Sequence, residues 1–153
     1  MLRSTVAESR VFESWQDYQD ALKRAIAPLT AQQLQRRVIP TLRTPGEIAE
    51  HIVFGRALHL HRALGEKVTE LTPLLQWDDI DNPPRTASEI LDGLEQTWQV
   101  ITYCLMRGSP TDAISEQDQS ILQTIWGLLD HDLPHAGELS LLLGADGISG
   151  VEI

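Results

Sequence analysis

Residues 44–65 read TPGEIAEHIVFGRALHLHRALG, and this stretch decides the fold class. Thr44 can cap a helix, Pro45 suits a first helical position whose amide has no intrahelical partner, and Glu47 closes a capping box by reaching back to the cap. At about 100° per residue, Ile48, Ile52, Gly55, Leu58 and His59 share one arc, with His51 inside it and His61 largely outside. The pattern predicts an amphipathic helix that runs to about Gly65.

Helical periodicity continues on both sides of this stretch. Thr5-x-x-Glu8 reads as a capping box, followed by Val11, Trp15, Tyr18, Leu22 and Ala25 at alternating steps of four and three. This first helix is expected to stop at or before Ala27, because Pro28 disfavours the helical conformation of its predecessor. Thr30-x-x-Gln33 opens at most a short turn before Pro40. Residues 66–85 read as irregular, with Pro73, the acidic cluster Asp78, Asp79 and Asp81, and the pair Pro83-Pro84. A connection of that length suits a crossover that lets the second and third long helices run in the same direction. Thr86-x-x-Glu89 restarts the helix, and Ile90, Leu94, Trp98, Ile101 and Leu105 keep the period up to Gly108-Ser109-Pro110. After a further possible box at Ser115-x-x-Asp118, a fourth helix runs to roughly Gly144 with Ile121, Leu122, Ile125, Leu129, Leu139 and Leu143 on its apolar side. Residues 145–153 read as an irregular or short extended tail. The expectation is one all-α domain over residues 1–153, a four-helix bundle with a long crossover between helices 2 and 3.

Composition narrows the function classes. With 12 Lys+Arg against 22 Asp+Glu, the formal charge of −10 repels a phosphate backbone, so neither nucleic acid nor a membrane surface is an expected partner. A small molecule or another protein is. The single Cys104 permits no internal disulfide, and no leader or bilayer-length apolar run is apparent, which points to a reducing cytoplasm.

The five histidines, His51, His59, His61, His131 and His135, all lie in the second and fourth expected helices. His131 and His135 are four apart, so an unbroken helix stacks them on one face, where two imidazoles can bind one ion. His51, inward on helix 2, is the natural third ligand. His59 also points inward, but it sits ~12 Å along the axis from His51, too far for both to hold one ion. Three neutral imidazoles suit zinc, nickel, copper or ferrous iron and leave a position for water or substrate. Against this stands the plainer interpretation that inward histidines are hydrogen-bonded core residues. Asp132 projects into the apolar arc of helix 4, where a carboxylate is costly unless paired or near a cation, so it is either a partner of a ligand histidine or hydrated in an open bundle. Glu138 lies three residues after His135 and reads as a further ligand, a base or a solvated residue, the last being favoured. Trp15 is expected to wall the pocket.

Two stretches carry a resemblance. The run Trp126-Gly-Leu-Leu-Asp-His131-Asp-Leu-Pro-His135-Ala-Gly-Glu138-Leu-Ser-Leu-Leu-Leu-Gly144 resembles the fourth-helix signature of the DinB/YfiT-like family of small helical metal proteins. Thr44-Pro-Gly-Glu-Ile-Ala-Glu-His51 is similar to its second-helix signature. The resemblance implies up-down-down-up topology, a divalent metal (Zn, Ni or Fe) held by His51, His131 and His135, and a homodimer. It also implies thiol-dependent chemistry on a small-molecule substrate, such as transfer of a low-molecular-weight thiol. Two positions depart from the pattern: Gly127 and Pro134 stand where related sequences often carry histidine. Pro134 also deletes an amide hydrogen bond to Asp130 and crowds that carbonyl. A gentle kink that leaves both histidines convergent is the expectation.

The expected function is therefore a metal-dependent transferase or hydrolase. Alternatives are a non-catalytic dimeric metal-binding or stress-response module with the same fold, and an interaction protein whose histidines belong to the core.

Overall fold

A computed structural model describes residues 2–79, 81–107 and 116–153. Among these residues five α-helices occur in the order α1 (Leu2–Ile26), α2 (Ala31–Gln35), α3 (Pro45–Leu64), α4 (Ala87–Arg107) and α5 (Glu116–Ala145), with a 3-10 helix, Gly65–Gln76, between α3 and α4. No strand occurs among the described residues, so the chain is all-helical as the periodicity predicts.

Three threonines set helix starts. Thr44 Oγ1 accepts the Glu47 amide at 3.1 Å while the Glu47 carboxylate accepts the Thr44 amide at 2.7 Å. Thr86 and Glu89 do the same for α4, and Thr30 with Gln33 for the single turn of α2. Each box satisfies donors that a helix start otherwise leaves without partners. The fourth box is different: α1 begins at Leu2, so Thr5 lies inside the helix rather than capping it. Nothing in Leu2-Arg3-Ser4 breaks a helix, and extending an existing helix is easier than starting one at a cap. The Gly108-Ser109-Pro110 stop and Ser115 lie outside the described residues, and the side chains of Thr5, Glu8, Val11, Asp118 and Leu122 are likewise not described.

At the far end of α3, Gly65 adopts φ 57°, a left-handed conformation that L side chains rarely tolerate, and its amide bonds back to the His61 carbonyl. The connection beyond it is more regular than its prolines suggest. Val68, Leu71 and Leu74 recur every third residue, the period of a 3-10 helix, and all three are buried. Val68 itself departs to φ −131°, ψ 41°, which breaks the segment into two shorter pieces.

Helix α3 is central, packing against α2, α4, α5 and the 3-10 helix, while α4 also contacts α1 and α5. The core takes Trp15, Tyr18 and Leu22 from α1, Ile48 and Ile52 from α3, Ile90, Leu94, Trp98 and Ile101 from α4, and Ile125, Leu139 and Leu143 from α5. Each such side chain contributes about 1.5–3 kcal/mol by leaving water. Helix α5 continues through Pro134, leaving the Asp130 carbonyl without its usual amide partner on an exposed face. Among the described residues, no helix is long and apolar enough to cross a membrane.

Candidate metal centre

His51 projects from α3 two turns after its cap, and His131 and His135 project from one face of α5 on either side of Pro134. The packing of α3 on α5 brings the three together. Their ring centroids are 5.3 Å apart for His51 and His131, 4.7 Å for His51 and His135, and 4.8 Å for His131 and His135. One ring nitrogen from each lies within 4.8 Å of the other two, so the three histidines are positioned to bind a metal ion. Pro134 therefore leaves the pair convergent.

Each ring has a carboxylate beside Nδ1. Asp78 Oδ1 lies 3.1 Å from His51 Nδ1, Glu138 Oε2 lies 3.2 Å from His135 Nδ1, and Asp132 Oδ1 lies 3.5 Å from His131 Nδ1. The first two are hydrogen-bond distances, and the third is at the outer limit. Nδ1–H donated to a carboxylate fixes the tautomer and leaves Nε2 with the lone pair that a metal needs. Burial lowers the His51 pKa below the ordinary imidazole value, outweighing the hydrogen bond that Asp78 accepts, and so favours the neutral, ligating form. The side chains of His51, His131 and His135 remain 16%, 20% and 24% exposed, so the cluster opens to solvent on one side.

The neighbours of the triad are placed as follows. Glu138 orients His135 rather than standing free in solvent. Asp132 is fully buried, not hydrated, and pairs with Arg56 of α3. The ring of His131 packs on the bare backbone of Gly55. His59 is not one of the three, its ring centroid lying 5.7 Å from that of His131, and burial lowers its pKa as well. Trp15 does not wall this cluster. Stacked on Trp98 at 5.9 Å, it lines an apolar recess of about 380 Å³ between α1 and α5 that contains none of the three histidines.

Two participants are absent from the sequence-based site. Arg56 follows Ile52 by four residues and so falls on the inward arc of α3, where a charged side chain signals a buried partner. Asp78 belongs to the acidic cluster of the connection, and only the path of the 3-10 helix brings it to His51. Asp78 also forms part of the wall of a polar groove of about 640 Å³ that includes Arg43, Glu50, Trp77 and Arg85.

Comparison of the chain with family models, with curated proteins and with solved structures returned no significant match. The donor set itself fits a divalent ion: three imidazoles, a carboxylate beside Nδ1 of each and an open side match the chemistry of a His-based metal site.

Proposed function

We propose that the chain is a metal-dependent enzyme of DinB/YfiT-like type, an up-down-down-up four-helix bundle that transfers a low-molecular-weight thiol or hydrolyses a small substrate in a reducing cytoplasm. The observation that carries this is the convergence of His51, His131 and His135, each with a carboxylate beside Nδ1. A divalent ion of the zinc, nickel or ferrous class supplies Lewis acidity when bound, acidifying a thiol or water that reaches it. His51, His131 and His135 hold it. Asp78 and Glu138 fix the orientation of His51 and His135, and the exposed edge of the three rings gives substrate a way in. A catalytic site needs such an open side, whereas a purely structural ion is enclosed by protein.

Asp78, one hydrogen bond from His51, lines the polar groove, which is large enough for a small molecule. A homodimer is part of the proposal. Half-exposed Trp126 and Leu133 beside the apolar recess supply surface of the kind a second copy would cover.

Elemental analysis of untagged protein, purified without chelator, tests the proposal. The wild type is expected to carry about one ion per chain, and His51→Ala and His135→Ala to carry none. A wild type that arrives empty and cannot be loaded with zinc, nickel or ferrous iron would end the metalloenzyme interpretation. Loaded protein is then expected to accelerate addition of a simple thiol to a chromogenic electrophile.

A further inference from the structure

Arg56 leads the fully buried side chains in size, and Asp132 is enclosed to the same degree. Arg56 Nε donates to Asp132 Oδ2 at 2.6 Å and Nη1 donates to Gln19 Oε1 at 2.8 Å, whereas Nη2 has no hydrogen-bond partner among the described residues. As a stabilising device this is a poor arrangement. Desolvating two charges offsets most of their attraction, hydrophobic residues of similar volume usually do as well or better, and an unmet buried donor adds a further cost.

Its location supplies a different rationale. Asp132 directly follows His131, and Arg56 with Tyr18 occupies only Oδ2, the Tyr18 hydroxyl lying 3.4 Å from it. Oδ1 is thereby left facing His131 Nδ1. Gly55, the residue before Arg56, lies under the His131 ring. Two successive residues of α3 thus address one ligand: Gly55 makes room for the imidazole, and Arg56 fixes the carboxylate beside it.

We infer that Arg56 is a positioning residue for the metal centre, holding Oδ2 of Asp132 so that Oδ1 accepts from His131 Nδ1 and Nε2 of that ring is presented to the ion. This rests on the metal-centre proposal above. Arg56 touches neither ion nor substrate and acts through Asp132 alone, with Tyr18 and Gln19 of α1 completing the clamp. Partners of this kind typically change metal affinity by about 10–100-fold.

Zinc affinity, measured by competition with a chromogenic chelator, separates this role from simple helix cross-linking. Wild type is compared with Arg56→Met, Asp132→Asn and the double variant, each first shown to be folded by circular dichroism. Each single change is expected to weaken zinc binding about 10–100-fold, and the double variant is expected to bind no more weakly than the weaker single one. If Arg56→Met does not fold, Arg56→Lys, which keeps the charge and loses the Nε geometry, takes its place with the same expected direction. Ring-nitrogen chemical shifts of His131 in zinc-free protein give a second readout: Nδ1–H in the wild type, a tautomer mixture in the variants. Failure of the wild type to bind zinc would remove the metal centre itself. Wild-type affinity and an unchanged His131 tautomer in folded Arg56 and Asp132 variants, or losses that multiply in the double, would instead overturn only the role of Arg56.

Discussion

A Cβ added at Gly55 would come within 2.2 Å of His131 Cε1 and 2.6 Å of its Nε2. No real side chain tolerates that approach, so the ring occupies the space that glycine leaves. Gly55→Ala is expected to displace His131 and weaken zinc binding at least tenfold. Gly137→Ala is the matched control: it lies two residues from His135, and its Cβ meets nothing. That variant is expected to keep full affinity and gain about 0.5–1 kcal/mol from better helix propensity. Zinc competition with urea unfolding of both variants checks the pair, and equal affinities would mean the ring can move freely.

Asp78→Asn is expected to lower zinc affinity about tenfold, because a neutral amide holds the Nδ1–H of His51 less firmly than a carboxylate does. Asp79→Asn changes the next residue, whose carboxylate instead accepts the Asp81 amide, and is expected to leave affinity unchanged. A chelator titration of the two proteins side by side discriminates between a specific partner of His51 and a general effect of acidic charge.

Pro134→Ala restores an amide donor for the Asp130 carbonyl on an exposed face of α5. The expected outcome is a gain of about 1–3 kcal/mol in unfolding free energy with zinc binding retained. Stabilisation accompanied by loss of zinc would show that the proline sets the angle between His131 and His135.

Glu89 supplies a pH dependence whose sign is fixed. Hydrogen bonds from the backbone and hydroxyl of Thr86 hold its carboxyl below the ordinary value of 4.5. The unfolded chain therefore takes up this proton first as pH falls. The contribution of Glu89 is complete above about 4.5 and is lost as pH drops through the lowered folded value. Glu89→Gln keeps the form of the cap, as Gln33 does in α2, without titrating. Urea midpoints between pH 6 and pH 3 are expected to fall less steeply in this variant than in the wild type.

How much of this was legible in the sequence depends on distance along the chain. The starts of α2, α3 and α4 are set by residues three apart, and Thr30, Thr44 and Thr86 announce them. The inward positions of α4 follow equally from local period, since Ile90, Leu94, Trp98 and Ile101 are all buried. The histidines were legible because two lie on one turn and the third lies on an inward arc. Asp78 was not, because its meeting with His51 depends on how a 3-10 segment folds back on α3, and acidic clusters in loops are common. Arg56 and Asp132 each break an apolar arc, yet only the register of α3 against α5 makes them partners. The regular connection after Gly65 is not legible from α-helical periodicity, because its apolar residues recur every third position instead.

The three imidazoles come from opposite halves of the chain, one from α3 and two from α5. A nascent chain that stops short of α5 carries His51, His59 and His61 but only one member of the triad, so the proposed site is incomplete until most of α5 has left the ribosome. In the proposed metalloprotein, loading would belong to the end of folding, and the ion would act as a receipt for a finished tertiary structure rather than as the seed around which one is built.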